Sequence, residues 1–187
     1  MMNFSEGLIV KKFKTNGMNV VFRYPKKNDV KDCLECVNSL VREEARILIV
    51  KEMSMNKEKS WLKGVIKNVI KDKNIHVFVE IEGRVIGTGQ ISRRIIPPSA
   101  TDHVGEIGFG IMKKYRSMGI GEKLVKTLIE LGKKEWKIKL VRSGYFSDNL
   151  ASKRLHKKLG FRVLGKIPEG GKIGGKYLDE ILVVKKI

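Results

Sequence analysis

Hydrophobic and polar residues follow strand-like or helix-like spacing along most of this chain. Two β-type runs, residues 8–14 and 18–23, flank Thr15-Asn16-Gly17, a sequence typical of a hairpin turn. Helical stripes then predict a helix over residues 30–46, and a second helix that begins at a Ser54 or Asn56 cap and extends to about Ile70. The chain therefore opens with a hairpin and two consecutive helices.

The second half of the chain alternates strands with helices. Residues 75–81 and 84–91 form a predicted hairpin around Glu82-Gly83, and the remaining predicted elements are a strand at 107–112, an amphipathic helix after Gly121, a strand at 139–146, a short helix from an Asn149 cap to Gly160, and strands at 161–164 and 177–184. The glycine-rich stretch 165–175 is predicted to be a loop between the last two strands.

Length and composition indicate one globular domain over residues 1–187. Hydrophobic residues make up 42% of the chain and charged residues 32%, which is typical of a folded protein and not of a disordered one. No apolar run approaches the roughly 20 residues that a membrane span needs. The first residues lack the basic and apolar regions of a signal peptide, so we expect a cytoplasmic protein that does not bind a membrane.

The formal net charge of +19 would attract nucleic acid, acidic proteins or a phosphate-rich cofactor. The lysines are spread through every predicted element, however, without an arginine-rich block or interleaved aromatic residues. We therefore interpret them as solvated surface charge and do not expect nucleic acid to be a partner. A nucleic-acid-binding module remains the alternative, and it would show binding that falls steeply with salt.

Cys33 and Cys36 are the only cysteines and form a C-x-x-C pair inside a helical pattern. A zinc site would need a second pair of ligands, and the three histidines do not have metal-binding spacing. We expect no metal and interpret the two cysteines as buried thiols on one helix face.

The strongest candidate for chemistry is the segment 115–121, with the sequence YRSMGIG, which lies between a predicted strand and a predicted helix. Unpaired N–H groups and the positive end of the helix dipole make such a junction an anion site. Glycine lets the backbone approach a phosphate without a Cβ in the way. A Walker loop is absent, and Leu124 occupies the place of the third glycine in a dinucleotide fingerprint.

The pattern R-x-x-G-x-G resembles the acyl-CoA pyrophosphate loop of the GCN5-related N-acetyltransferase (GNAT) family. Asn149-x-Ala151 followed by residues 155–161, LHKKLGF, is similar to a second family signature, and YLDE at 177–180 resembles the closing strand of its ribosomal-protein and small-amine branches. The resemblance extends over roughly residues 18–185. It implies an α/β (α+β) fold with a mixed, mostly antiparallel twisted sheet flanked by helices.

The resemblance also implies acetyl-CoA as cosubstrate and assigns residues to its binding. The pyrophosphate contacts, mostly through the main chain, would be Arg116, Ser117, Met118, Gly119, Ile120 and Gly121. Phe109, Ile111 and Met112 would place the strand edge beside the pantetheine arm. Asn149 would orient both the helix start and the cofactor. The alternative is that Asn149 serves only as the N-cap that stabilises the start of the helix.

Two residues are candidates for acid–base chemistry. An amine with a pKa of about 8 to 10 is protonated at neutral pH, so a base must accept its proton. Glu106 begins the cofactor strand, where several family members have a glutamate; the alternative is an ordinary strand-end carboxylate. His156 stands where the family commonly has a tyrosine acid, and the alternative is an exposed helix residue with no chemical role.

The acceptor region of this fold would be residues 41–59, which carry Glu43, Glu44 and Glu52, together with the loop 166–176. The resemblance to the ribosomal-protein branch implies an N-acetyltransferase whose acceptor is a primary amine of a peptide or protein, at an N-terminus or a lysine. The alternatives are a small amine, such as a polyamine or an antibiotic, or a catalytically degenerate CoA-binding module. A homodimer also remains open.

Overall fold

The computed structural model describes residues 4–93 and 98–187. The elements follow in the order β1 (Ile9–Thr15), β2 (Met18–Arg23), α1 (Val30–Arg42), α2 (Met55–Ile70), β3 (Asn74–Ile81), β4 (Arg84–Arg93), β5 (Val104–Ile111), α3 (Ile120–Trp136), β6 (Leu140–Phe146), α4 (Leu150–Lys158), β7 (Arg162–Ile173) and β8 (Lys176–Lys186). The strands form an eight-stranded sheet in the order β1-β2-β3-β4-β5-β6-β8-β7. All neighbouring strands are antiparallel except β5 and β6, which are parallel. The predicted fold class is therefore confirmed.

The sheet buries apolar residues on both faces. Leu124 and Leu128 of α3 pack against the face of the sheet that carries Val77 and Ile91. A smaller cluster on the other face joins Leu62 and Ile66 of α2 to Phe78 and Val85. Because successive side chains of a strand point to opposite faces, each central strand contributes to both layers. In β5 this alternation places Ile107 against the α3 face and the neighbouring Glu106 on the α1–α2 face.

The predicted starts of the early elements are confirmed, and one predicted end is wrong. Ser54 caps α2 by accepting a hydrogen bond from the Lys57 amide at 3.4 Å. Helix α1 ends at Arg42 and does not continue to Arg46. Glu44 has a φ of 49°, in the left-handed region, so the chain leaves the helix there although the hydrophobic spacing continues.

The prediction of a loop at residues 165–175 is wrong. Strand β7 continues to Ile173, pairs with β8, and turns only at Gly174-Gly175. The pairing is irregular between Ile167 and Gly171, where a bulge interrupts the register. Gly171 packs so closely on the ring of Phe146 that a Cβ there would clash. The glycines thus allow a close strand contact and do not mark a flexible connection.

Both cysteines lie in the buried part of α1 as free thiols, which confirms the interpretation of the C-x-x-C pair. Burial raises the pKa of Cys36 to about 12, so the thiol stays protonated near neutral pH. Among residues 4–93 and 98–187, no cluster of His, Cys, Asp or Glu is arranged to hold a metal ion. Within the same ranges, no helix combines the length and the apolar composition that crossing a membrane requires.

Two ionisable side chains are buried on the α2 face. His76 is 4% exposed and stands edge-on to the rings of Trp61 and Phe78, and burial lowers its pKa to about 4. Glu58 is 3% exposed, and burial raises its pKa to about 6. In the folded state both groups therefore favour the neutral form.

These two groups should give opposing pH dependences of stability between about pH 6.5 and 4. An unfolded chain protonates His76 first as the pH falls, so this histidine makes the fold less stable, by up to about 1.4 kcal/mol per pH unit. Glu58 acts in the opposite direction because the folded state takes up its proton first. Denaturant unfolding of His76→Leu should therefore show a smaller loss of stability on acidification than the wild type. Equal pH slopes for the two proteins would contradict the burial of a neutral imidazole.

Candidate active site

The sheet opens between its two parallel strands. Strands β5 and β6 pair only from Val104–Leu140 to Glu106–Arg142, although β5 continues to Ile111 and β6 to Phe146. Beyond this point, one side of each strand has no partner strand among residues 4–93 and 98–187. The Ser143 hydroxyl bridges the start of the gap by donating a hydrogen bond to the carbonyl of Ile107 at 3.0 Å. The result is a cleft in the middle of the sheet, and we call it the β5–β6 split.

The glycine segment leads from the end of β5 to the start of α3. Gly119 is the N-cap residue of α3 and has a φ of 74°, and Ser117 has a φ of 61°. No described residue accepts a hydrogen bond from the backbone N–H of Ser117, Met118 or Gly119. The first N–H groups of α3 add to this set, since a helix leaves them without an internal partner. These unpaired donors, at the positive end of a helix dipole, fit the predicted anion site.

The side chain of Arg116 braces this segment against the sheet. Its Nε donates to the carbonyl of Ile111 at 2.8 Å, and its guanidinium forms an ion pair with Glu43 at the end of α1. The Arg116 amide also donates to Lys113. The Thr15 hydroxyl supports the other side of the segment by donating to the carbonyl of Met118 at 2.9 Å. Direct contact of Arg116 with pyrophosphate stays a prediction, and its visible partners show a role in positioning the loop.

Strand β5 presents a free edge to the split at Phe109. The N–H and C=O of alternate strand residues point to the same side, and the Ser143 contact shows that Ile107 faces β6. Ile111 faces the same way, but its carbonyl binds Arg116. Met112 lies outside β5, contrary to the predicted strand 107–112, and its amide donates to Ile86 at 3.0 Å. Of the three predicted strand residues, Phe109 is thus the one with both main-chain groups facing the split.

Glu106 lies at the last paired position before the split, on the α1–α2 face of the sheet. Its carboxylate accepts a hydrogen bond from Arg142 of β6 at 2.9 Å, and the side chain is 53% exposed. The register of the parallel pair explains the contact, because Glu106 and Arg142 are directly opposite. The carboxylate is therefore accessible to solvent at the mouth of the split, where it forms an ion pair with Arg142.

His156 lies beneath the split on the α4 side, and it is 2% exposed. Its Nε2 is 3.0 Å from Ser143 Oγ, and its Nδ1 is 2.8 Å from the Ser152 carbonyl. The ring stacks on Tyr145, with 5.4 Å between the ring centroids. The alternative of an exposed helix residue is therefore wrong. Burial lowers the pKa of His156, against a smaller opposing effect of the Ser152 carbonyl, so a neutral imidazole is favoured.

Asn149 caps α4, as its position in the sequence predicted. Its side-chain oxygen accepts a hydrogen bond from the Ser152 amide at 3.0 Å. This contact fixes the start of the helix that carries His156, and a contact of Asn149 with the cofactor stays a prediction.

Sequence reasoning missed Ser143, which connects β5, β6 and His156. A serine at the centre of an apolar strand, followed by Gly144, was a visible signal that this strand does not make ordinary sheet contacts. The ion pairs Glu43–Arg116 and Glu106–Arg142 could not be predicted from local sequence patterns, because the two residues of each pair are distant in the sequence.

The family model described as "Acetyltransferase (GNAT) family" matches residues 40–161 of the chain. This range contains the split, the glycine segment and α4. The chain therefore belongs to the GNAT acetyltransferase family, and by family it is an acetyl-CoA-dependent N-acetyltransferase.

Solved structures share the fold over nearly the whole chain. A ribosomal-protein-alanine N-acetyltransferase from Brucella melitensis is 23% identical, with a TM-score of 0.75 over 89% of this chain and 99% of that one. A ribosomal-protein-alanine acetyltransferase from Vibrio fischeri is 20% identical, with a TM-score of 0.77 over 94% and 96%. RimL, a ribosomal α-N-protein acetyltransferase in complex with coenzyme A, is 14% identical, with a TM-score of 0.82 over 96% and 98%.

The glycine segment allows a test with a matched control. Gly119 and Gly17 have φ angles of 74° and 76°, and an added Cβ would meet no atom within 4 Å at either position. Valine at either site should cost about 2 kcal/mol of stability because L-residues avoid this region. Only Gly119→Val should lose the increase in melting temperature that acetyl-CoA causes, since its side chain would stand where the anion approaches the loop. An undiminished shift in Gly119→Val would place the cofactor elsewhere.

Proposed function

We propose that this protein transfers the acetyl group of acetyl-CoA to a primary amine of a peptide or protein. The main support for this proposal is structural. The unpaired N–H groups of Ser117, Met118 and Gly119 lie at the start of α3, beside the open β5–β6 split. A polyanionic cofactor with a long amide-containing arm matches both features, because the phosphates need donors and the arm needs an unpaired strand edge.

The free N–H groups of the glycine segment and the unpaired edge of β5 fit the two parts of acetyl-CoA. The main chain of residues 117–121 would hold the pyrophosphate, and the main chain of Phe109 would pair with the pantetheine arm. Acetyl-CoA supplies an acyl group that is activated as a thioester, so an uncharged amine can displace the thiolate directly. The net charge of +19 gives the protein a general attraction for this anion.

In the proposed mechanism, Glu106 prepares the acceptor amine. The carboxylate lies at the mouth of the split, accessible from the α1–α2 face, and it would take the ammonium proton directly or through water. Arg142 holds the carboxylate in place through the 2.9 Å contact. The amine nitrogen then attacks the acetyl carbon, the C–S bond breaks as the thiolate leaves, and the nitrogen releases its second excess proton to water to give the neutral amide.

His156 is proposed to assist the departing thiolate through Ser143. The imidazole is too deeply buried to meet solvent, but its Nε2 contacts the Ser143 hydroxyl, which stands in the split. Nδ1 donates to the Ser152 carbonyl, so Nε2 of a neutral imidazole can only accept from Ser143. The imidazolium form, with a second N–H on Nε2, would donate to the Ser143 oxygen while the hydroxyl turns from the Ile107 carbonyl and passes a proton to the departing thiolate. In this role the histidine acts through serine and does not replace the tyrosine by direct contact.

A peptide or protein acceptor is supported by the surface around the split and by the names of the similar structures. The segment after α1 and the β7–β8 hairpin adjoin each other, since Glu44 lies against Gly174 at the hairpin tip. Both compared structures from Brucella and Vibrio are named as acting on ribosomal-protein alanine. An N-terminal alanine is therefore the first acceptor to test. Mass spectrometry of such a peptide after incubation with acetyl-CoA should show the addition of one acetyl group; acetylation of spermidine alone would favour the small-amine alternative.

Replacing the proposed base should slow the reaction without weakening cofactor binding. Glu106→Gln keeps the shape of the side chain but cannot accept a proton, so we expect kcat to fall by about 100-fold. The acetyl-CoA melting shift should be unchanged. Glu82→Gln, in the exposed turn between β3 and β4, is the matched control and should keep full activity. Steady-state release of CoA, followed over pH, measures both variants. Wild-type kcat in Glu106→Gln would exclude this residue as the base.

A further inference from the structure

A second carboxylate stands beside the split, on the same face as Glu106. Glu180 of β8 is paired with Phe146 at the end of β6, and its Oε1 is 2.8 Å from the position that a Cβ of Gly144 would occupy. The Glu180 side chain therefore extends from β8 over Gly144 of β6, the strand that borders the split. Only a glycine at position 144 leaves space for the carboxylate there.

Strand β5, on the opposite side of the split, also has a glycine at the level of Gly144. Glu106 pairs with Arg142, so two residues further along the parallel strands Gly108 stands at the level of Gly144. An added Cβ at Gly108 would have Gln90 Nε2 as its nearest neighbour at 4.0 Å, an ordinary van der Waals distance, so a side chain could be accommodated there. With glycine on both strands, no side chain occupies this level of the split, next to the Glu180 carboxylate.

In the part of the chain that the structure describes, Glu180 has no basic partner, whereas four other carboxylates near the split do. Glu43, Glu106, Asp148 and Asp179 form ion pairs with Arg116, Arg142, Arg46 and Lys166. Among the described residues, none donates a hydrogen bond to the Glu180 side chain, and none forms an ion pair with it. In a chain with a net charge of +19, a half-buried carboxylate without a cation is a position that an external cation can complete.

We propose that Glu180 binds the ammonium group of the acceptor before acetyl transfer, at the level of the split where Gly108 and Gly144 carry no side chain. This assignment rests on the proposed function and extends it to acceptor recognition. The anionic donor binds at the positive start of α3, and the cationic acceptor binds at a negative site on the far side of the split. Glu180 thereby selects amines that carry a charge, and Glu106 removes the proton once the amine is in place.

Three variants of the full-length protein test this assignment. Glu180→Gln removes the charge, and Gly144→Ala displaces the carboxylate while the nearest backbone atom, the Ile181 carbonyl oxygen, stays 3.5 Å from the new Cβ. Both should raise the KM for a peptide with a free N-terminal alanine by about tenfold or more, the loss expected for a charged hydrogen bond. The KM for acetyl-CoA should be unchanged. Glu130→Gln, on the outer side of α3, is the control and should match the wild type.

A binding measurement separates failure of this assignment from failure of the proposed function. Calorimetric titration of the CoA complex with the same peptide, free or N-acetylated, requires no turnover. Wild-type protein should bind the free-amine form more tightly by about tenfold, and Glu180→Gln should lose this preference. If wild type prefers the free amine but transfers no acetyl group, the proposed function fails and the ammonium site stands. If Glu180→Gln keeps the wild-type preference and acceptor KM, the ammonium site is wrong, whether or not the enzyme is active.

Discussion

Parallel pairing between β5 and β6 stops after Glu106 and Arg142, and the candidate site depends on this interruption. A sheet that paired along its whole length would leave no strand edge exposed in its interior. Here the two strands separate while each remains paired on its outer side, β5 with β4 and β6 with β8. The split is therefore part of a rigid sheet, and its two sides are held by independent antiparallel ladders.

The interruption also explains the hydrogen bonds around it. Backbone groups that would have faced a partner strand bind side chains, as Ile107 does with Ser143 and Ile111 does with Arg116. The Arg116 contact holds the segment before α3 in position, so that the free N–H groups of Ser117 and Gly119 stand at the end of the split. One irregularity in strand pairing thus brings together an anion site, a free strand edge and a carboxylate at its mouth.

Sequence patterns predicted the order of the elements and the glycine segment, but not the contacts that define the site. Hydrophobic spacing is a local property, and it located the hairpins and the helices to within a few residues. It failed at residues 165–175, because β8 supplies the hydrogen bonds that make this glycine-rich stretch a strand. The partner of Glu106 depends on which residue of β6 lies opposite, and the burial of His156 depends on how α4 packs. Neither can be read from neighbouring residues.

Binding of the coenzyme A diphosphate by the backbone between Ser117 and Gly121 is the step on which the proposed function depends. A crystal structure of the complex with coenzyme A would show whether this contact is made. We expect diphosphate oxygens within about 3 Å of the N–H groups of this segment, with the pantetheine arm in the β5–β6 split beside Phe109. Coenzyme A bound elsewhere, with these N–H groups still free of the diphosphate, would contradict this expectation.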